Sequence, residues 1–164
     1  MKLSLIAIGR LKAGPERELV ERYRERVSAS GRALGLTGLD IAEIPESRAR
    51  REEDRRAEEA QAILARAGDT PLALFDERGE RPTSAEFAGM IARERDSGLP
   101  GLAFVIGGPD GLDQSLRARA KAVISFGSLT MPHQIVRALV AEQIYRALTI
   151  MSGHPYHRAG KIGG

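Results

Sequence analysis

The 164-residue sequence contains no cysteine. Disulfide frameworks and thiolate-ligated zinc are therefore excluded, and a reducing, cytoplasmic setting is expected. Long hydrophobic runs are missing too. The apolar stretch near the start covers only Leu5 to Ile8, too short for a membrane span or a signal-peptide core. A buried first strand is the expectation there. Neither G-x-G-x-x-G nor a G-K-S/T phosphate loop occurs, so no Rossmann fingerprint or P-loop is satisfied. With no internal repeat, low-complexity tract or linker, one domain over residues 1–164 is expected.

What is present is an ordinary globular composition, 42% hydrophobic and 29% charged, with a net charge of +3. The charge is unevenly spread. Residues 109–164 hold seven Lys and Arg against three acids, whereas the first 108 hold 18 against 19. A local positive field attracts phosphates even when the total charge is small. The alternative for Arg117, Arg119 and Lys121 is a solvated helix face.

Short apolar runs alternate with charged helical stretches. Strands are expected at Leu3–Ile8, Leu39–Ile44, Leu72–Phe75 and Leu102–Ile106, the last apolar throughout and so buried on both faces. Helices are expected at Pro15–Val27, with Leu19, Tyr23 and Val27 on one side, and at Arg48–Ala67, with Ala57, Ala60, Ile63 and Leu64 inward. Asp76–Gly79 reads as a turn. Thr83 to Glu86 has capping-box spacing and opens a third helix carrying Phe87, Met90 and Ile91. The alternation implies an α/β fold with a mainly parallel sheet flanked by helices, binding its ligand at the carboxyl ends of the strands.

Four segments could carry chemistry. Ile106–Gly111 follows the fourth strand and is either a tight turn or a loop that lets backbone approach a ligand. Ser125–His133 mixes Gly and Ser with Leu129 and Met131, which can flank an adenine or simply join the core. The helix from Pro132 to Met151 has the apolar stripe Val136, Val140, Ile144, Leu148 and Met151. Away from that stripe lie Arg137, Glu142, Tyr145 and Arg146, with Glu142 and Arg146 spaced for an intrahelical pair. The tail His154–Pro155–Tyr156–His157–Arg158 offers a base, a stacking ring and a cation. Its H-x-x-H spacing lacks further ligands, so no metal is expected.

In order and spacing, the segments Phe104–Leu112, Ser125–Gln134, Arg137, Glu142–Ala147 and Pro155–Arg158 closely resemble the ribosomal RNA large subunit methyltransferase H family. That family is a small single-domain SPOUT group methylating N3 of a pseudouridine in 23S rRNA, and the resemblance spans the whole chain. It implies a C-terminal trefoil knot, a homodimer and no membrane association. S-adenosylmethionine would sit against Phe75, Gly107 and the loop Phe126, Gly127, Ser128, Leu129, Thr130 and Met131. The pseudouridine would approach His133, Arg137, Glu142, Arg146, Tyr156, His157 and Arg158, with one subunit's tail completing the other's site. Two departures are visible: the chain continues past Arg158 to Gly164, and the loop reads Gly127–Ser128 where relatives often carry Ser–Lys or Ser–Ala.

The resemblance implies that His157, His133 or Glu142 removes the N3 proton, and that Arg137, Arg146 or Arg158 stabilises charge or binds phosphate. Tyr156 would stack on the base. So small a protein is expected to work on assembled ribosomes rather than naked RNA. Two other readings stay open: a non-enzymatic ribosome-associated binding protein of the same fold, and a related methyltransferase acting on transfer RNA.

Overall fold

In a computed structural model describing residues 1–158, apolar segments of the chain lie side by side in one sheet. The strands are β1 (Lys2–Ile8), β2 (Thr37–Ile44), β3 (Leu72–Glu80), β4 (Gly101–Ile106) and β5 (Ala120–Ile124). Their order is β2-β1-β4-β3-β5, and every pairing between them is parallel. The helices are α1 (Pro15–Gly31), α2 (Glu52–Ala67), α3 (Ser84–Asp96) and α4 (His133–Met151), with short 3-10 turns at Arg32–Leu34 and Gln114–Arg119.

Alternation along the strands sorts the core into two layers. Leu3, Leu5, Ala73, Phe75, Leu102, Phe104 and Ile106 pack against α1, α3 and α4. Ile6, Ile8, Leu72, Leu74, Ala103 and Val105 pack against α2 and Leu116. β4 is buried at all six residues, as its unbroken apolar run predicts.

Several expectations shift. The helix expected to end at Val27 runs to Gly31, the strand expected from Leu39 begins at Thr37, and the helix expected from Arg48 begins at Glu52. On α1 Leu19, expected inward, is exposed, and Val20 turns inward. On α2 Ala57 faces solvent and Glu59 is buried.

The polar run Asp76–Gly79 is not a simple turn. β3 continues through it to Glu80, whose carbonyl accepts the Ser125 N–H at 2.7 Å. Gly79 makes the crossing feasible: a Cβ there would lie 2.6 Å from the Val123 carbonyl and the Ile124 nitrogen. Thr83 and Glu86 form the expected capping box on α3. Pro132, expected in the first turn of the last helix, is instead the residue before it, and α4 starts at His133.

Candidate active site

β3, β4 and β5 are parallel, so their carboxyl ends open on the same side of the sheet. A cavity of about 720 Å³ lies there, large enough for a cofactor. Its lining joins Phe75 and Asp76 from β3, Ile106 to Gln114 after β4, and Ile124, Phe126, Gly127, Leu129, Thr130, Met131 and His133 after β5. Segments far apart in sequence thus converge, because the sheet order sets β3 between β4 and β5. Ser128 is on the same loop, exposed, and does not line the cavity.

The loop after β5 is anchored at its root and open at its tip. The buried Ser125 hydroxyl accepts the Gly127 N–H at 2.9 Å, and Gly127 turns the chain at φ +116°. Phe126 lays its ring on Phe75, with centroids 5.3 Å apart and planes 14° from parallel. Leu129 is 82% exposed at the cavity edge. Among the described residues, no backbone N–H from Ser128 to Met131 donates within the chain. An aromatic and aliphatic surface beside free amide donors suits a flat heteroaromatic ring with polar edges, and adenine is one.

The opposite wall is the turn Gly108–Pro109–Asp110–Gly111, closed by the Gly111 N–H on the Gly108 carbonyl at 3.0 Å. Gly107 is packed too tightly for a side chain, since a Cβ would meet Leu112 at 3.0 Å. Arg55 of α2 staples the turn with a fork onto Asp110, at 2.6 and 3.0 Å, while donating to the Ala49 and Arg50 carbonyls. That guanidinium holds the Asp110 carboxyl below its ordinary value. Behind the turn, Glu59 accepts the Ser47 N–H at 2.9 Å through Oε1, while Oε2 is buried without a partner. Burial pushes its pKa up. Sequence reading missed both Arg55 and Glu59, because each is one residue within a dense charge run.

The remaining expected site residues divide into three places. His133 lines the cavity. Arg137 does not: it is 3% exposed and lines a separate groove of about 680 Å³ between α1 and β2. There it pairs with Glu43 and donates to the Gly9 carbonyl at 3.0 Å. The same Glu43 carboxylate accepts the Leu11 N–H at 2.7 Å. Arg137 thus ties α4 to the chain leaving β1.

Glu142, Arg146, Tyr156 and His157 form a third group against the second half of α4. Thirteen residues separate His133 from Arg146, roughly 20 Å along a helix. Arg146 donates Nε to Glu142 at 2.9 Å, and the Tyr156 hydroxyl donates to the same oxygen at 3.1 Å. Arg146 Nη1 lies 3.4 Å from His157 Nδ1. Arginine can only donate, so Nδ1 accepts, and a neutral His157 carries its proton on Nε2. Arg158 is exposed. The extension from Ala159 to Gly164 lies outside the described residues. Of the basic trio, Arg117 pairs with Asp76 at 3.2 Å and Arg119 donates to the Gly68 carbonyl at 2.6 Å, so two of the three are engaged within the fold. Among the described residues no cluster of three metal-ligating side chains occurs, and no helix is long and apolar enough to cross a membrane.

A parallel sheet with a cofactor-sized cavity over three strand ends, walled by a glycine turn and an apolar loop, is the arrangement in which open α/β proteins take their ligands. The chain belongs to the SPOUT methyltransferases: the family model described as predicted SPOUT methyltransferase matches residues 1–157. It is 61% identical over 160 residues to the ribosomal RNA large subunit methyltransferase H of Bradyrhizobium sp. (strain ORS 278), covering 97% of this chain and 99% of that one. The protein of the same name from Xanthobacter autotrophicus is 55% identical over 161 residues, covering 97% and 100%. Among solved structures, a probable methyltransferase from Bordetella pertussis shares the fold, with a TM-score of 0.50 and 15% identity over 89% of this chain and 95% of that one.

Proposed function

We propose that this chain transfers a methyl group from S-adenosylmethionine to N3 of a pseudouridine in 23S rRNA, acting in the cytoplasm on assembled ribosomes. The observation that carries the reading is the cavity itself. It brings Phe75, Gly107, Phe126, Leu129, Thr130 and Met131 around one space, and these are the positions to which the family resemblance assigns the cofactor. Near-full-length identity to proteins named ribosomal RNA large subunit methyltransferase H supports the substrate class. The C-terminal trefoil knot and the homodimer belong to the same reading. The lining supports the dimer, since a single chain's Tyr156 and His157 dock on Glu142 and Arg146 and none of the four lines its own cavity.

The cofactor supplies an electrophilic methyl. This chain's residues must hold it, exclude water, and take the proton that N3 gives up. Phe75 and Phe126 offer a stacking surface, and the free amides of Leu129 to Met131 offer donors to a ring edge. Of the three candidate bases, His133 alone lines the cavity. Glu142 is committed to Arg146, Gln143 and Tyr156. His157 receives an arginine N–H on Nδ1 and presents an N–H from Nε2. His133 is therefore the first choice of proton acceptor, and in the dimer reading a second copy of the chain would bring its Arg146 and Arg158 to stabilise the developing anion on the ring.

The test is mass mapping of 23S rRNA from a strain lacking the gene, with calorimetry of S-adenosylmethionine on the purified protein. Loss of one methyl from a 23S fragment, restored by the gene, and micromolar cofactor binding are expected. An unchanged 23S map with a missing tRNA methyl would move the substrate to tRNA. Absence of cofactor binding would leave a non-enzymatic ribosome-binding protein.

A further inference from the structure

The tail does not simply trail from α4. The Gly153 N–H donates to the Ile150 carbonyl at 3.2 Å and the His154 N–H to the Thr149 carbonyl at 2.9 Å. With Gly153 at φ +68°, these two bonds make a Schellman turn that reverses the chain. His154 Nδ1 then accepts the Tyr156 N–H at 3.2 Å. The result sets Tyr156 back against the helices, half-buried, with its ring edge-on to Tyr145 at 4.8 Å and the Arg146 guanidinium 4.9 Å above it.

α1 completes this arrangement. The Tyr23 hydroxyl lies 3.2 Å from the Tyr156 hydroxyl. Tyr156 donates its proton to Glu142, so Tyr23 is the donor in the pair and Tyr156 the acceptor. Tyr23 also faces Tyr145 at 6.0 Å, and Arg26 lies 5.6 Å from the centroids of both rings. Burial first, and the Glu142 carboxylate that accepts its proton, hold the Tyr156 phenol above its ordinary pKa and so neutral.

We propose that Tyr23, supported by Arg26, is a positioning residue for methyl transfer: it docks the Tyr156 hydroxyl on the α1–α4 surface and fixes how the tail presents Tyr156 to Arg158 to RNA. The proposal rests on the reading of that tail as substrate-facing. Tyr23 touches neither the cavity nor the cofactor loop, and acts only through Tyr156. The Tyr23–Tyr156–Glu142 chain is a relay of two hydrogen bonds from α1 to the tail to α4, so a change on α1 reaches the tail without moving the cofactor.

Tyr23→Phe removes one hydroxyl and no ring. Its kcat on ribosomes is expected to fall about fivefold, the worth of one half-buried hydrogen bond, with cofactor Kd within error of wild type and a melting temperature lowered by no more than about 4 °C. Tyr156→Phe combined with Tyr23→Phe should be no slower than Tyr156→Phe alone, because the second change removes a bond already broken. Hydrogen exchange at the amides of 154–158 should quicken in Tyr23→Phe and in Arg26→Gln. Multiplicative effects in the double variant, or unchanged exchange together with unchanged kcat, would overturn the proposal. If wild-type protein binds cofactor but methylates nothing, the function reading fails, and the exchange arm alone decides whether Tyr23 docks the tail.

Discussion

Phe126 stacks on Phe75 at 5.3 Å, in planes 14° from parallel, and so joins the loop after β5 to the end of β3 at the edge of the cavity. Rings this close leave no room for a third ring between them, because each stacked layer needs about 3.5 Å. An adenine stacking at this position would lie on the outer face of Phe126 or displace it.

The sequence has no tryptophan, so Phe126→Trp creates a single reporter at this stack. Its emission is expected to shift on titration with S-adenosylmethionine, and to stay fixed with methionine alone. Phe126→Ala should weaken cofactor binding about tenfold, near 1.4 kcal/mol, the scale of one aromatic contact. Unchanged affinity by calorimetry would remove Phe126 from the cofactor surface.

Arg137 separates a structural from a catalytic role. It is buried among Glu43 and the carbonyls of Ile8 and Gly9, so Arg137→Ala strands a carboxylate and opens a gap. Breaking such a pair costs about 3 kcal/mol, seen as a clear fall in melting temperature. A variant that melts like wild type but loses kcat would place Arg137 against substrate, where the resemblance puts it.

Acid should release the glycine turn. Arg55 lowers the Asp110 carboxyl below its ordinary value, so the folded state binds that proton less readily than the unfolded chain. The contribution is fully present above the unfolded value, about 3.9, and is lost as pH falls through the lowered folded one. Asp110→Asn should therefore melt below wild type at neutral pH, with the gap closing under about pH 4. A constant gap from pH 7 to pH 3 would show that the fork contributes through shape rather than charge.

The parallel sheet was readable because β1 and β4 are apolar runs and Thr83–Glu86 is a local capping signal; each rests on neighbouring residues. The misreadings share a cause. Leu19 and Val20, or Ala57 and Glu59, differ in direction by a fraction of a helical turn, and only packing against the sheet decides which faces in. Asp76–Gly79 has turn composition and does bulge, since Phe75 and Glu80 both pair with Ile124, yet the strand resumes at Glu80 through a bond that local composition does not announce. Arg137 looked free because its partners, Gly9 and Glu43, lie 128 and 94 residues away. Tyr23 was invisible as a site residue for the same reason, 133 residues from Tyr156. The loop from Phe126 to Met131 was legible only in combination with the other segments, since alone it is an ordinary strand-to-helix connection.

The helix α4 carries His133 at one end and the tail's anchor at the other, with no proline or glycine between them. It therefore works as a ruler. Adding one residue midway would advance the tail by about 1.5 Å and turn it by about 100° about the axis, moving Arg146 and Tyr156 off the α1 surface while the cavity keeps its shape. The number of residues between the two ends is thus itself a constraint on this protein, held in place of any direct contact between them.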